Sequence, residues 1–294
     1  MSSYDGGKGG AGVYQWIINH IPPHSHYIDL FLGNSAVLRY KRLSDISVGI
    51  EINPAVIAEY WRYCNLPGVI VRHGDALNFL DELEREADGD TFVYADPPYL
   101  METRSCQRQL YQFELAEREE HLALLTKLKA LPCMVALSGY WSALYAEELD
   151  GWRTDTFRTV NHAGKPTVEW LWMNYPVPLE LHDYRYLGKN FRERERIKRK
   201  KQRWTERLKR MPDQERYALL DAITSLRSDN VANSDAPDGG IAGADDSDEQ
   251  ARSAVSGDGR RQRTLEELSP HVAMADRDPD PLARSDDGRA HRCE

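Results

Sequence analysis

From Ser25 to Tyr175 short apolar runs alternate with stretches of helical periodicity, and this alternation restricts the chain to few architectures. "HYIDLFL" reads as a strand, "SAVLRYKRL" as a helix, "ISVGIEI" as a strand and "PAVIAEYWRYC" as a helix. "GVIVRHGD" and "ALNFLDELEREA" repeat the pair, and "TFVYAD" supplies a fourth strand. The amphipathic "LAEREEHLALLTKLKAL" leads to a fifth strand, "CMVALSGY", and a further helix, "WSALYAEEL". "WRTDTFRTV" and "TVEWLWMNY" close the series as two strands around a short loop. Strands separated by helices predict a mostly parallel sheet with helices on both faces. Parallel strands covered on both sides read as continuous apolar runs, as these do.

The character changes after Tyr186. The formal net charge of −9 conceals a segregation. Residues 1–187 carry 25 acidic and 16 basic side chains, whereas "GKNFRERERIKRKKQRWTERLKR", residues 188–210, carries 3 and 12. Residues 228–294 carry 16 and 8. A global charge argument against nucleic acid therefore fails. The basic segment has a sparse apolar stripe at Phe191, Ile197, Trp204 and Leu208 on a charged rod, and "DQERYALLDAITSL" follows as a short helix. From about Ser228 the chain is Asp, Gly, Ser, Ala and Arg with almost no aromatic residues, too little apolar area to offset ordering entropy. We therefore expect an α/β domain over 1–187, a basic helical extension over 188–227 and a disordered acidic tail over 228–294.

No apolar run approaches the length that spans a bilayer, and "MSSYDGGKGG" lacks the apolar centre of a signal peptide. Cys64, Cys106, Cys133 and Cys293 are scattered, with no CxxC spacing, so neither a zinc site nor a disulfide framework is indicated. Free thiols and a cytoplasmic protein without metal are the expectation.

In an open α/β sheet ligands bind beyond the carboxyl ends of the strands. The first strand ends in Asp29-Leu30-Phe31-Leu32-Gly33-Asn34-Ser35, a tight turn into a helix. The second ends in Glu51, the third in Gly74-Asp75 and the fourth in Asp96. An acid about 20 residues past the first turn is where a ribose is held through its hydroxyls. A dinucleotide pyrophosphate asks for the full G-x-G-x-x-G. This turn has Gly33 alone, with Ser35 where a second glycine would stand. S-adenosylmethionine carries ribose and adenine but no phosphate, so one close-approach glycine suffices. Strand ends are also solvated, and acids there are common without any ligand.

"TFVYADPPYL" asks for a more specific account. Proline fixes φ and lacks an N–H, and a residue before proline is pushed out of the helical region. Asp96 and Pro97 are thus held extended, and the Asp96 carboxylate and the Pro97 carbonyl become two acceptors at a fixed separation. Pro98 stiffens the turn and Tyr99 adds a flat face. A planar group with an exocyclic amino nitrogen fits: its two N–H bonds meet the acceptors and its ring lies on the tyrosine. Base–aromatic stacking is worth roughly 1–3 kcal/mol. Holding both hydrogens off-plane favours a nitrogen whose lone pair can attack, and a carboxylate stabilises the positive charge that develops. The same tetrapeptide in isolation would be an ordinary turn. Its place after a buried strand, among acid-terminated strands, favours chemistry.

Together these residues resemble the DNA adenine methyltransferases, particularly the small phage and prophage enzymes. "YDGGKGGAGVYQWIINHIP" looks like the family's N-terminal segment, "DLFLGNSAVL" like its first cofactor motif, "GIEINP" like the ribose motif, "HGDAL" like the acidic motif near the cofactor adenine, and "DPPYL" like the catalytic motif. "ALSGYWSALY" and "TVEWLWMNY" are similar to later segments. The resemblance implies a Rossmann-like S-adenosylmethionine-dependent methyltransferase fold, a seven-stranded sheet with its last strand antiparallel. It implies cofactor contacts from Tyr4, Gly7, Lys8, Asp29, Phe31, Gly33, Ser35, Glu51 and Asp75, with Lys8 near the cofactor carboxylate. It implies catalysis by Asp96, Pro97, Pro98 and Tyr99 on a flipped adenine of double-stranded DNA; the sequence does not disclose the oligomeric state, and a monomer is the working expectation.

One departure bears on DNA reading. Members with a large recognition region insert it between the motifs of Asp75 and Asp96, which are too close here to hold one. The candidate contacts are Arg104 and Arg108 in "METRSCQRQLYQF", Lys165 in "NHAGKPT", and Lys198, Arg199, Lys200 and Lys201 in the basic segment, which would neutralise phosphates. The competing reading of that segment is a solvated helix with internal pairs such as Glu193–Arg196. His121 reads as structural. Chemistry alone leaves cytosine, guanine in RNA or a glutamine amide as acceptors, since each offers a nitrogen with two hydrogens. A catalytically silent DNA-binding module is the reading outside enzymes.

Overall fold

The computed structural model describes residues 8–9, 12–34, 36–103, 115, 117–160 and 166–234, with no side-chain detail for 227–234. Seven strands form one sheet: β1 (His26–Asp29), β2 (Ile46–Glu51), β3 (Val69–His73), β4 (Thr91–Ala95), β5 (Met134–Gly139), β6 (Arg153–Val160) and β7 (Pro166–Met173). Their order is β3-β2-β1-β4-β5-β7-β6. The first five pair in parallel, and β7 runs antiparallel to both β5 and β6. This is the seven-stranded α/β architecture expected from the sequence.

The helices between these strands are α2 (Ala36–Tyr40), α3 (Pro54–Tyr63), α4 (Ala76–Glu86), α5 (Arg118–Ala130) and α6 (Ala143–Glu148). Before them comes α1 (Val13–Ile18), which the sequence pattern does not reveal. Successive strand residues point to opposite faces, and each central strand feeds two cores. Ile28, Val93, Val135 and Trp172 join Leu80, Leu124 and Leu144 on one side. Tyr27, Phe92, Tyr94, Ala136 and Leu171 join Ile17, Val37 and Tyr60 on the other. All of β4 is buried, whereas β6 alternates half-buried with exposed along its length, as an edge strand does.

Beyond β7 the chain returns to the amino-terminal ends of the strands. The His182 N–H donates to the Ile21 carbonyl, and Asp183 accepts from the Arg42 N–H at 2.8 Å. The rings of His24 and His182 stack with centroids 4.0 Å apart. Lys41, buried at the end of α2, donates to the Arg42 carbonyl and Ser44 Oγ and lies 4.0 Å from the Tyr27 ring centroid. Burial brings its pKa down to about 7.

Two further helices follow, α7 (Phe191–Lys209) and α8 (Asp213–Ser234). Residues to Arg199 belong to one compact unit and those from Lys200 to a second. α8 continues past the helix expected over Asp213–Leu226, because no glycine or proline occurs before Pro237 to stop it. Among the described residues no helix is long and apolar enough to cross a membrane.

Candidate active site

Strand order reverses at β1 and β4: the chain runs outward through β2 and β3, then returns to lay β4 on the other side of β1. The crevice at such a switch point is where open α/β sheets bind ligands. Asp29 ends β1, Glu51 ends β2, and Asp96 follows β4.

Around Asp96 the polar groups converge. Asp96 Oδ1 lies 2.9 Å from Lys8 Nζ and accepts from Ser138 Oγ at 2.9 Å. Ser138 Oγ is itself 2.9 Å from the Tyr94 hydroxyl. Lys8 Nζ also donates to Tyr99 Oη at 2.6 Å and to Glu169 Oε2 at 3.3 Å, and Tyr99 Oη donates to Glu169 Oε1 at 2.8 Å. The Tyr99 ring stacks on Tyr140, centroids 4.2 Å apart and planes 29° apart. Lys8 is buried, whereas the Asp96 side chain keeps 17% of its surface. The carboxylate is thus fixed on one oxygen, and the side chain stays partly exposed just past the carboxyl end of β4. Pro97 is buried, and Pro98 and Tyr99 are half-buried.

Burial alone would lower the Lys8 pKa. Attraction to Asp96 and Glu169 outweighs it and holds the ammonium well above its usual range. Burial raises Asp96 against the opposing pull of Lys8, and raises the Tyr99 phenol. Lys8 stands on the turn that follows β4, a placement its position in the sequence does not disclose.

At the neighbouring strand ends, Glu51 Oε2 accepts from the Gly33 N–H and Oε1 from the Asn53 N–H, both at 2.9 Å. Gly33 has φ 43°, the left-handed region glycine enters without strain. Burial raises the Glu51 pKa, the two N–H donors opposing. Asp29 is buried, and its Oδ1 has no hydrogen-bond partner. Burial, then the nearby Asp96, push its pKa well up. A buried carboxyl oxygen without a donor is costly and suits a cationic or N–H-bearing ligand. Phe31 is half-buried against the core. Asp75 Oδ1 caps α4, accepting from the Leu77 and Asn78 N–H groups at 2.7 and 3.1 Å. Among the described residues no group of three or more His, Cys, Asp or Glu could hold a metal.

Tyr4, Gly7, Ser35, Arg104, Arg108 and Lys165 lie outside the described residues. Lys198, Arg199, Lys200 and Lys201 are exposed on α7. Glu193 and Arg196 form the expected internal pair at 3.4 Å. His121 is structural: it is buried between the Tyr145 hydroxyl and the Leu115 carbonyl, at 2.8 and 2.9 Å. Cys64 and Cys133 are free thiols. Glu169, Ser138, Tyr94 and Tyr140 join the site without having been expected there. The usable signal was Glu169, a lone carboxylate inside the apolar run "TVEWLWM".

No family model matches the chain, and no curated protein matches it. Solved structures similar to it include an S-adenosylmethionine-dependent methyltransferase from Agrobacterium tumefaciens, 14% identical with a TM-score of 0.37, over 55% of this chain and 60% of that one. An rRNA methylase from Streptococcus thermophilus is 11% identical with a TM-score of 0.34, over 54% and 92%. An S-adenosylmethionine-dependent methyltransferase from Anabaena variabilis is 11% identical with a TM-score of 0.36, over 53% and 76%. The chain spans less than two thirds of the Agrobacterium protein.

Proposed function

We propose that the chain is an S-adenosylmethionine-dependent methyltransferase acting on the exocyclic amino group of an adenine flipped out of duplex DNA. The observation that carries this reading is Asp96, at the switch point of the sheet, with Oδ1 anchored by Lys8 and Ser138 and the side chain still partly exposed.

The cofactor would supply an electrophilic methyl group on a sulfonium. Glu51, with both oxygens already oriented by N–H groups, would take the ribose hydroxyls, and the partnerless Asp29 Oδ1 would take an ammonium. Asp96 and the Pro97 carbonyl would accept the two N–H bonds of the target amino group. The carboxylate then stabilises positive charge developing on that nitrogen. Because burial raises its pKa, Asp96 is also a competent acceptor for the proton the nitrogen sheds. Tyr99, held at its hydroxyl by Lys8 and Glu169, presents a ring at a fixed angle. An amino group inside the duplex stack cannot reach the crevice, so the base must be extruded.

Incubating the protein with duplex DNA and isotopically labelled S-adenosylmethionine, then digesting to nucleosides, should yield labelled N6-methyl-2′-deoxyadenosine by mass spectrometry. Asp96→Ala should abolish that product while retaining S-adenosylhomocysteine binding. Label in another nucleoside, or undiminished transfer by the variant, would overturn the reading.

A further inference from the structure

The run Lys198–Lys201 looks like one basic patch in the sequence, but α7 distributes it around a cylinder. At 3.6 residues per turn, Lys198 and Lys201 point roughly 140–160° away from the stripe formed by Lys200, Arg203, Arg207 and Arg210. Several other cations of the helix pair internally. Lys198 and Arg199 lie 3.7 and 3.9 Å from Glu195, and Lys209 lies 3.0 Å from Glu206. Among the described residues no carboxylate pairs with Lys200, Arg203, Arg207 or Arg210. The three arginines line a shallow groove of about 650 Å³ where α7 turns into α8, with Gln202, Glu206, Met211 and Glu215 completing it. Arg207 also lies against Trp204, 5.5 Å from the ring centroid.

We infer that this arginine stripe is a phosphate-binding surface for the backbone of duplex DNA. Resting on the reading of the chain as a DNA methyltransferase, the inference assigns affinity to residues other than those of the catalytic crevice. Guanidinium groups bind phosphate through paired N–H donors. From Arg203 to Arg210 the helix rises about 10 Å, about the axial rise of three nucleotides of one strand at roughly 3.4 Å each along the duplex axis. Such phosphate bonds carry no sequence information: they position the duplex and leave base selection to other residues.

The test is anisotropy of a labelled duplex titrated with the full chain at several salt concentrations. Arg203→Gln/Arg207→Gln/Arg210→Gln should weaken binding at least tenfold at moderate salt. It should also flatten the dependence of log affinity on log salt by about 2.7, at ~0.9 for each phosphate left without its guanidinium. Lys198→Gln/Lys201→Gln, on the other side of the helix, should weaken it less than about threefold. Glutamine is a good helix former, and circular dichroism should show unchanged helix content. An unchanged salt slope in the arginine variant, or an equal loss in the lysine variant, overturns the inference. So does tighter, arginine-dependent binding of an RNA duplex of the same sequence. Calorimetry with S-adenosylhomocysteine separates the two readings: failure of the parent protein to bind it strikes the enzyme assignment and leaves an arginine-dependent salt slope standing.

Discussion

Lys8 and Asp96, brought together from the amino terminus and the end of β4, meet through Nζ and Oδ1 at 2.9 Å, and the same ammonium reaches Glu169. One buried cation thus faces two carboxyl groups, and its removal leaves both without their counter-charge. Lys8→Met should cost about 3 kcal/mol, the lower end for breaking a buried pair because Asp96 is partly exposed. Urea unfolding measures this. Lys8 also holds the Asp96 pKa down against burial, so in the variant the acid limb of the pH–rate profile moves to higher pH.

Tyr99 separates into a ring and a hydroxyl. Tyr99→Phe keeps the stack on Tyr140 but loses the bonds to Lys8 and Glu169, at a cost of about 1–3 kcal/mol. Tyr99→Ala loses the stack as well. If the ring orients the base, methyl transfer should survive within about tenfold in the phenylalanine variant and fall by a further tenfold or more in the alanine variant, as each ~1.4 kcal/mol of lost stacking is tenfold. Single-turnover rates distinguish them.

Glu51 organises the turn at the end of β2, one oxygen accepting from the Gly33 N–H and the other from the Asn53 N–H. Glu51→Ala leaves two N–H groups without their acceptor, and S-adenosylhomocysteine should bind at least tenfold more weakly, about 1.4 kcal/mol. Titration calorimetry reads the change, and an unchanged affinity would remove Glu51 from the cofactor site.

The stacked histidines predict a pH-dependent stability. Burial depresses His24 to about 3 and His182 to about 4, below the ordinary 6.5. Between these values the unfolded chain binds protons that the folded chain refuses, so this contribution is complete above pH 6.5 and is lost as pH falls through about 4 for His182 and about 3 for His24. Relative to the parent, His24→Phe/His182→Phe should lose less stability over that interval in urea titrations at stepped pH.

Much of the architecture is legible because its signals are local. The apolar runs of β1, β2, β4 and β5, the proline pair after β4 and the acids at the strand ends are all set by neighbouring residues. α1 escapes because five of the six residues in "VYQWII" are buried, which leaves no polar face to betray a helical period. Glu169 and the placement of Lys8 escape for another reason: each becomes meaningful only when distant segments meet, and no local pattern encodes that meeting. The sequence offers Asp75 to a ligand, and the structure shows its Oδ1 capping α4. The basic run of α7 is one surface in the sequence and two on the helix.

β7, the last strand to be made, wedges between β5 and β6 and carries Glu169 to the turn of Asp96 and Tyr99. Domains emerging from the ribosome begin folding from the amino terminus, so Lys8 and Asp96 are available well before their second acidic partner. A nascent chain that has not released residues through Met173 has a three-cornered charge cluster with one corner missing. The centre is therefore completed by its final insertion, and chains cut short before that strand are left without it.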